Sequence, residues 1–88
     1  MAWSIEVTKT ATKQLSKLDR NEAKQITSFL RDKVSSLNNP RDLGKALAGN
    51  MAGLWRYRVG DWRVICEIQD NELIVLVIEL GHRREIYR

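Results

Sequence analysis

Three runs rich in Val, Ile and aromatic residues fill the C-terminal part of this chain, and two polar pairs divide them. The runs are Leu54-Trp-Arg-Tyr-Arg-Val, Trp62-Arg-Val-Ile-Cys-Glu-Ile-Gln and Glu72-Leu-Ile-Val-Leu-Val-Ile-Glu-Leu. The pairs between them are Gly60-Asp61 and Asp70-Asn71, and the last run leads into Gly81-His-Arg-Arg-Glu-Ile-Tyr-Arg. Short β-type runs split by Gly-Asp and Asp-Asn pairs predict an antiparallel meander with tight hairpins. Side chains alternate between the faces of a strand. Arg56 and Arg58 therefore share one face of the first run, with Trp55, Tyr57 and Val59 on the other. In the second, Trp62, Val64, Cys66 and Ile68 share a face, and Arg63, Ile65 and Glu67 oppose them. One side of the sheet is basic.

The rest of the chain must cover the other side. Residues 1–88 are too few for more than one domain with one modest core. With 43% hydrophobic and 30% charged residues the chain is too apolar to stay disordered. Its longest apolar run, Leu73 to Ile78, falls far short of the roughly 20 residues that span a bilayer. The amino terminus shows no signal-peptide pattern. These features predict a cytoplasmic protein with no membrane partner. The single cysteine, Cys66, excludes an internal disulfide, and with one histidine beside it a zinc site is excluded too. A buried, inert thiol is expected.

The net charge of +4 is unevenly built. Residues 1–45 carry nine basic and five acidic side chains; residues 46–88 carry six of each, and all six cations there are arginines. Guanidinium suits the fixed grip of phosphate, whereas lysine serves a solvated surface. The first half reads as a solvated basic surface and the second as a possible site.

Trp3 to Thr8 alternates as a short strand. Thr8 or Thr10 can cap a first amphipathic helix over about 9–18, with Ala11, Leu15 and Leu18 on its apolar face. Asp19 with Glu22 resembles a capping box and starts a second helix striped by Ala23, Ile26, Leu30, Val34 and Leu37, with Phe29 beside them. Asn38-Asn39-Pro40 stops it. Arg41 to Gly53 reads as a glycine-bearing loop with a turn of helix around Leu43 to Leu47. The order β-α-α-β-β-β predicts an α+β fold, with two N-terminal helices packed on one face of a small, mainly antiparallel four-stranded sheet.

Chemistry narrows by exclusion. No phosphate-cradling glycine loop is present. His82 alone cannot form a two-histidine ribonuclease pair, and the serines lie on the helical half, away from it. What remains is Arg56, Arg58, Arg63, Arg83, Arg84 and Tyr87. Arginine does not act as a base, so these cations bind or stabilise negative charge. A phosphodiester passing through a pentacoordinate state gains charge that preorganised cations stabilise. Tyr87 is the titratable group among them, and neighbouring cations favour its phenolate. An arginine-bearing strand is also commonly a solvated face, and the residues alone leave both readings open. No cofactor is implied.

The run Leu47-Ala-Gly-Asn-Met-Ala-Gly-Leu-Trp-Arg-Tyr-Arg-Val-Gly-Asp-Trp-Arg-Val-Ile-Cys-Glu-Ile, with the terminal Gly81-His-Arg-Arg-Glu-Ile-Tyr and the opening Ala11-Thr-Lys-Gln-Leu-Ser-Lys-Leu-Asp, resembles the RelE family of toxins in bacterial toxin-antitoxin modules. The similarity runs along essentially the whole chain, as one RelE-like toxin domain. It implies a small α+β protein that binds the ribosomal A site and cuts mRNA there, by attack of the 2'-hydroxyl on the adjacent phosphate. It also implies a RelB-like antitoxin partner, in a complex that binds its own operator DNA. Position by position, Tyr87 would be the general base and Arg83 would assist the leaving oxygen. Arg58, helped by Arg56 and Arg63, would stabilise the transition state. Arginine stands at 56 and 58 where the family often has lysine, which leaves electrostatic work there. With the sequence read here stopping one residue after Tyr87, the further C-terminal helix of some members is expected to be missing.

Among the other candidates, Arg84 is expected to contact a backbone phosphate. Trp62 could stack on an exposed base, whereas Trp55 reads as core. Alternation turns His82 away from Arg83. The lysines at 9, 13, 17, 24, 33 and 45 could contact ribosomal RNA, although a solvated helix face explains them equally. A ParE-like inhibitor of DNA gyrase and a non-catalytic RNA-binding protein are the alternatives to the nuclease.

Overall fold

The computed structural model describes residues 3–82. Arg83, Arg84 and Tyr87 lie outside the described residues. The chain forms β1 (Ser4–Val7), α1 (Lys9–Ser16), α2 (Arg20–Ser28), a π-helical continuation (Phe29–Val34), a 3-10 turn (Pro40–Leu43), β2 (Lys45–Ala46), a second 3-10 turn (Gly49–Met51), β3 (Trp55–Val59), β4 (Trp62–Gln69) and β5 (Ile74–His82). The α+β class and the two helices are as expected, but the sheet has five strands, in the order β1-β5-β4-β3-β2. The fifth is β2, which pairs antiparallel with β3 through Lys45↔Arg56 and Ala46↔Trp55. Two residues are too few to show any period, so the sequence conceals this strand inside a loop. The helical turn expected around Leu43 to Leu47 ends at Leu43. Gly44 then runs so close to β3 that a Cβ would meet Tyr57 Cε1 at 3.3 Å. β1 lies parallel to β5, and the remaining pairs are antiparallel.

The helix starts follow their caps. The Thr8 hydroxyl accepts from Ala11 N at 3.1 Å, and Asp19 accepts from Asn21 N at 3.1 Å. α1 stops at Ser16, two residues short of the expected end. In the second helix the buried stripe runs Ile26, Leu30, Val34, a four-residue step that drifts round an α-helix of 3.6 residues per turn. The wider turn of the π segment, with Ser35 N bonded to Leu30 O at 3.0 Å, brings Val34 back to the core. That stretch reads as continuous α-helix in the sequence.

The core joins Ala11, Ile26, Leu30 and Val34 of the helices to Tyr57, Val64, Cys66, Ile68, Val75, Val77 and Leu80 of the sheet. Alternation sorts β3 and β4 as expected. The first hairpin is also as expected: Gly60, at φ +60°, turns a two-residue loop closed by Val59↔Trp62. The second differs. Its pairing closes at Gln69↔Ile74, so the loop is the four residues 70–73, and Leu73 takes φ +55°. Asn71 is followed by Glu72, not glycine, so the left-handed conformation falls on Leu73 instead.

Candidate functional site

On the sheet face away from the helices, two rows of side chains cross the strands. One row is Lys45, Arg56, Ile65 and Glu79; the next, toward the β3–β4 turn, is Arg58, Arg63 and Gly81. Directly opposed residues of an antiparallel pair sit about 5 Å apart and point the same way. Arg58 and Arg63 are thus neighbours across the hairpin. Arg58 is exposed, while Arg63 is only 8% exposed and Ile65 beside it is fully buried. Gly81 brings no side chain to the β5 side of Arg63. One row further from the turn the sign reverses, with Glu67 paired to Leu76 and Leu76 to Glu6. The cations are gathered at the hairpin end of the face.

A β-bulge decides what joins them. Ile65 pairs with Glu79 and Cys66 with Val77, which leaves Ile78 as an extra residue in β5. The extra residue inverts the alternation that Val75 and Val77 set. Glu79 and Gly81 turn to the arginine face, and Leu80 and His82 turn to the helix face. There His82 meets its partner Trp62 edge-on, ring centroids 5.5 Å apart at 88°. His82 therefore lies across the sheet from Arg58 and Arg63. Trp62 lies there too, half-buried against the core, with its indole N–H buried and unpartnered among the described residues. The structure brings Arg56, Arg58 and Arg63 together and does not bring Trp62 to them.

The same register adds Lys45 to the arginine row, beside Arg56. The sequence carries no signal for this, because the strand that presents Lys45 is too short to show a period. Trp55 keeps to the helix face and holds the Arg41 guanidinium 5.6 Å from its ring centre. Arg41 also grips Asp70 through two hydrogen bonds of 2.7 and 3.0 Å, which hold the Asp70 carboxyl below its usual range. That arginine is thereby engaged in structure.

The inner face contains the other titratable groups. Burial pushes the Cys66 thiol up to about 12, so it stays protonated and unreactive. Burial likewise raises the Tyr57 phenol, which donates to Pro40 O at 2.7 Å and meets the Phe29 ring at 5.9 Å. Among the described residues no three His, Cys, Asp or Glu side chains gather to hold a metal. What the described site offers is a cluster of cationic side chains on one sheet face, suited to a phosphate-bearing partner.

This fold, with its cationic hairpin end, defines a class before it defines a member. The chain belongs to the ParE toxin family of type II toxin-antitoxin systems, parDE, which matches residues 5–87. Within that class it is a RelE-type toxin. It is 34% identical to Toxin RelE of Mycobacterium tuberculosis over 86 residues, 98% of this chain and 87% of that protein. It is 30% identical to Toxin RelG of the same organism over 88 residues, 100% of this chain and 99% of that protein. The solved toxin-antitoxin complex RelBE2 from M. tuberculosis contains a chain that matches with TM-score 0.85 and 26% identity, over 94% of this chain and 100% of that one.

Proposed function

We propose that this toxin is a ribosome-dependent endoribonuclease that cuts mRNA in the A site and so inhibits translation in the cytoplasm. The observation that carries the reading is the Arg58–Arg63 pair. Two guanidinium groups side by side on one sheet face suit the fixed grip of a phosphate. The substrate's 2'-hydroxyl attacks the adjacent phosphate, and Tyr87 takes its proton as general base. Arg83 assists the departing 5'-oxygen. Arg58, with Arg56 and Arg63, stabilises the charge that grows on the non-bridging oxygens. Arg84 binds a neighbouring phosphate. Trp62, on the other face, supports the strand end instead of stacking on a base there.

Permanent cations and one tyrosine form no strong internal acid-base pair, so the ribosome supplies the alignment of hydroxyl and phosphate. A RelB-like antitoxin holds the activity off, and the pair binds its own operator DNA. The antitoxin reading is supported by the match to a toxin solved in such a complex. A second reading, inhibition of DNA gyrase, rests on the ParE name of the matching family.

Primer extension on translating ribosomes, with an mRNA of known A-site codon, separates the two. Cuts within the A-site codon that need the ribosome support the nuclease. Intact mRNA together with arrested DNA supercoiling supports the gyrase reading and ends the other.

A further inference from the structure

The parallel partner of β5 runs out before β5 does. β1 pairs with residues 74–77 and ends at Val7↔Val77, whereas β5 continues to His82. An unpaired strand edge is open to fraying, and this stretch contains both the bulge and the residues nearest the arginine row. Two side chains at the start of the helical layer replace the missing strand. Thr8 N donates to Val77 O at 3.0 Å, and the Thr8 hydroxyl donates to Ile78 O, the bulged residue, at 2.7 Å. The same hydroxyl caps α1, so helix start and bulge are fixed together. Gln14, half-buried six residues further on in α1, uses its amide as a strand uses its backbone. Gln14 Nε2 donates to Leu80 O at 2.8 Å, and Leu80 N donates to Gln14 Oε1 at 2.6 Å.

We propose that Gln14 is a positioning residue of the arginine site: by holding both backbone groups of Leu80 it keeps Gly81 in register beside Arg63. The inference rests on the nuclease reading of that site. Only a side chain with a donor and an acceptor on one planar group completes the edge in this way. An apolar residue of the same length keeps the helix but breaks both bonds. A carboxylate keeps the acceptor and loses the donor. Neither change touches the arginines.

The test compares wild type, Gln14→Met and Gln14→Glu in single-turnover A-site cleavage at saturating ribosomes, with amide exchange of Leu80 and Cys66 followed by NMR. Gln14→Met is expected to speed exchange at Leu80 about 10-fold and leave Cys66 unchanged. Its cleavage rate constant is expected to fall about 10-fold, with ribosome affinity within about twofold. Gln14→Glu is expected to fall between them. A merely structural role would lower the fraction of active toxin at an unchanged rate constant. That result, or a wild-type rate despite fast Leu80 exchange, overturns the proposal. If Gln14→Met does not fold, Gln14→Glu at the wild-type rate does the same. A wild-type chain that cuts nothing on the ribosome overturns the nuclease reading, and this one with it, whereas cutting by wild type and Gln14→Met at equal rates removes this one alone.

Discussion

Arg58 and Arg63 face one another across the β3–β4 hairpin, on the side of the sheet that the helices leave open. Like charges in direct opposition disfavour a strand pair. Arg58 is the exposed member. Arg58→Ala should therefore leave stability within about 0.5 kcal/mol of wild type in urea unfolding. A loss beyond about 1 kcal/mol would show that Arg58 holds the fold together, contrary to its place in a site.

Tyr57 anchors the loop to the sheet, through its hydroxyl on Pro40 O, from a fully buried position. Tyr57→Phe strands that carbonyl and should cost about 1–3 kcal/mol. The variant should also change the alkaline limb of stability. The folded phenol is held above its ordinary value, so the unfolded chain releases this proton first as pH rises past about 10. Stability of the wild type then falls with rising pH, and Tyr57→Phe should lose that share of the fall. Parallel pH profiles for the two chains above that point would contradict the assignment.

Leu73 carries the left-handed conformation of the second hairpin at φ +55° and is 45% exposed, so the strain is offset by little packing. A β-branched residue tolerates that backbone worst. Leu73→Ile should cost about 1 kcal/mol or more, whereas Leu73→Gly should stay within about 0.5 kcal/mol of wild type. Chemical denaturation of the two variants gives the comparison directly. Equal losses would mean that the side chain, not the backbone angle, matters there.

The difference between these residues marks how far the sequence could be read. Arg56 and Arg58 sort onto one face of β3, and Arg63 onto the matching face of β4, by alternation alone, because each strand there is regular and its hairpin is set by Gly60. Thr8 and Asp19 announce helix starts through local chemistry. β2 and the bulge at Ile78 are non-local. Lys45 is a strand residue only because Arg56 lies across from it, and the parity of Gly81 and His82 follows from the bulge that leaves Ile78 extra in β5. No window of residues 74–82 contains that information. The π turn is hidden for a similar reason, since Val34 is drawn to the core by the sheet beneath it.

Tyr87→Phe keeps the ring and removes the hydroxyl that would accept the proton. Ribosome binding should survive, while A-site cleavage falls about 10²-fold or more. Cleavage at the wild-type rate would pass the base role to another group, with His82 or a ribosomal group the next to test. His82 itself lies on the face away from the arginine pair, beside Trp62.

The most direct test of the account is the single-turnover rate of A-site mRNA cleavage by Arg58→Ala and by Arg83→Ala at saturating ribosomes, beside urea unfolding of each. With one preorganised cation gone, each rate should drop about 10²-fold or more while Arg58→Ala unfolds as wild type does. Full cleavage by either variant would contradict the electrostatic site at its centre.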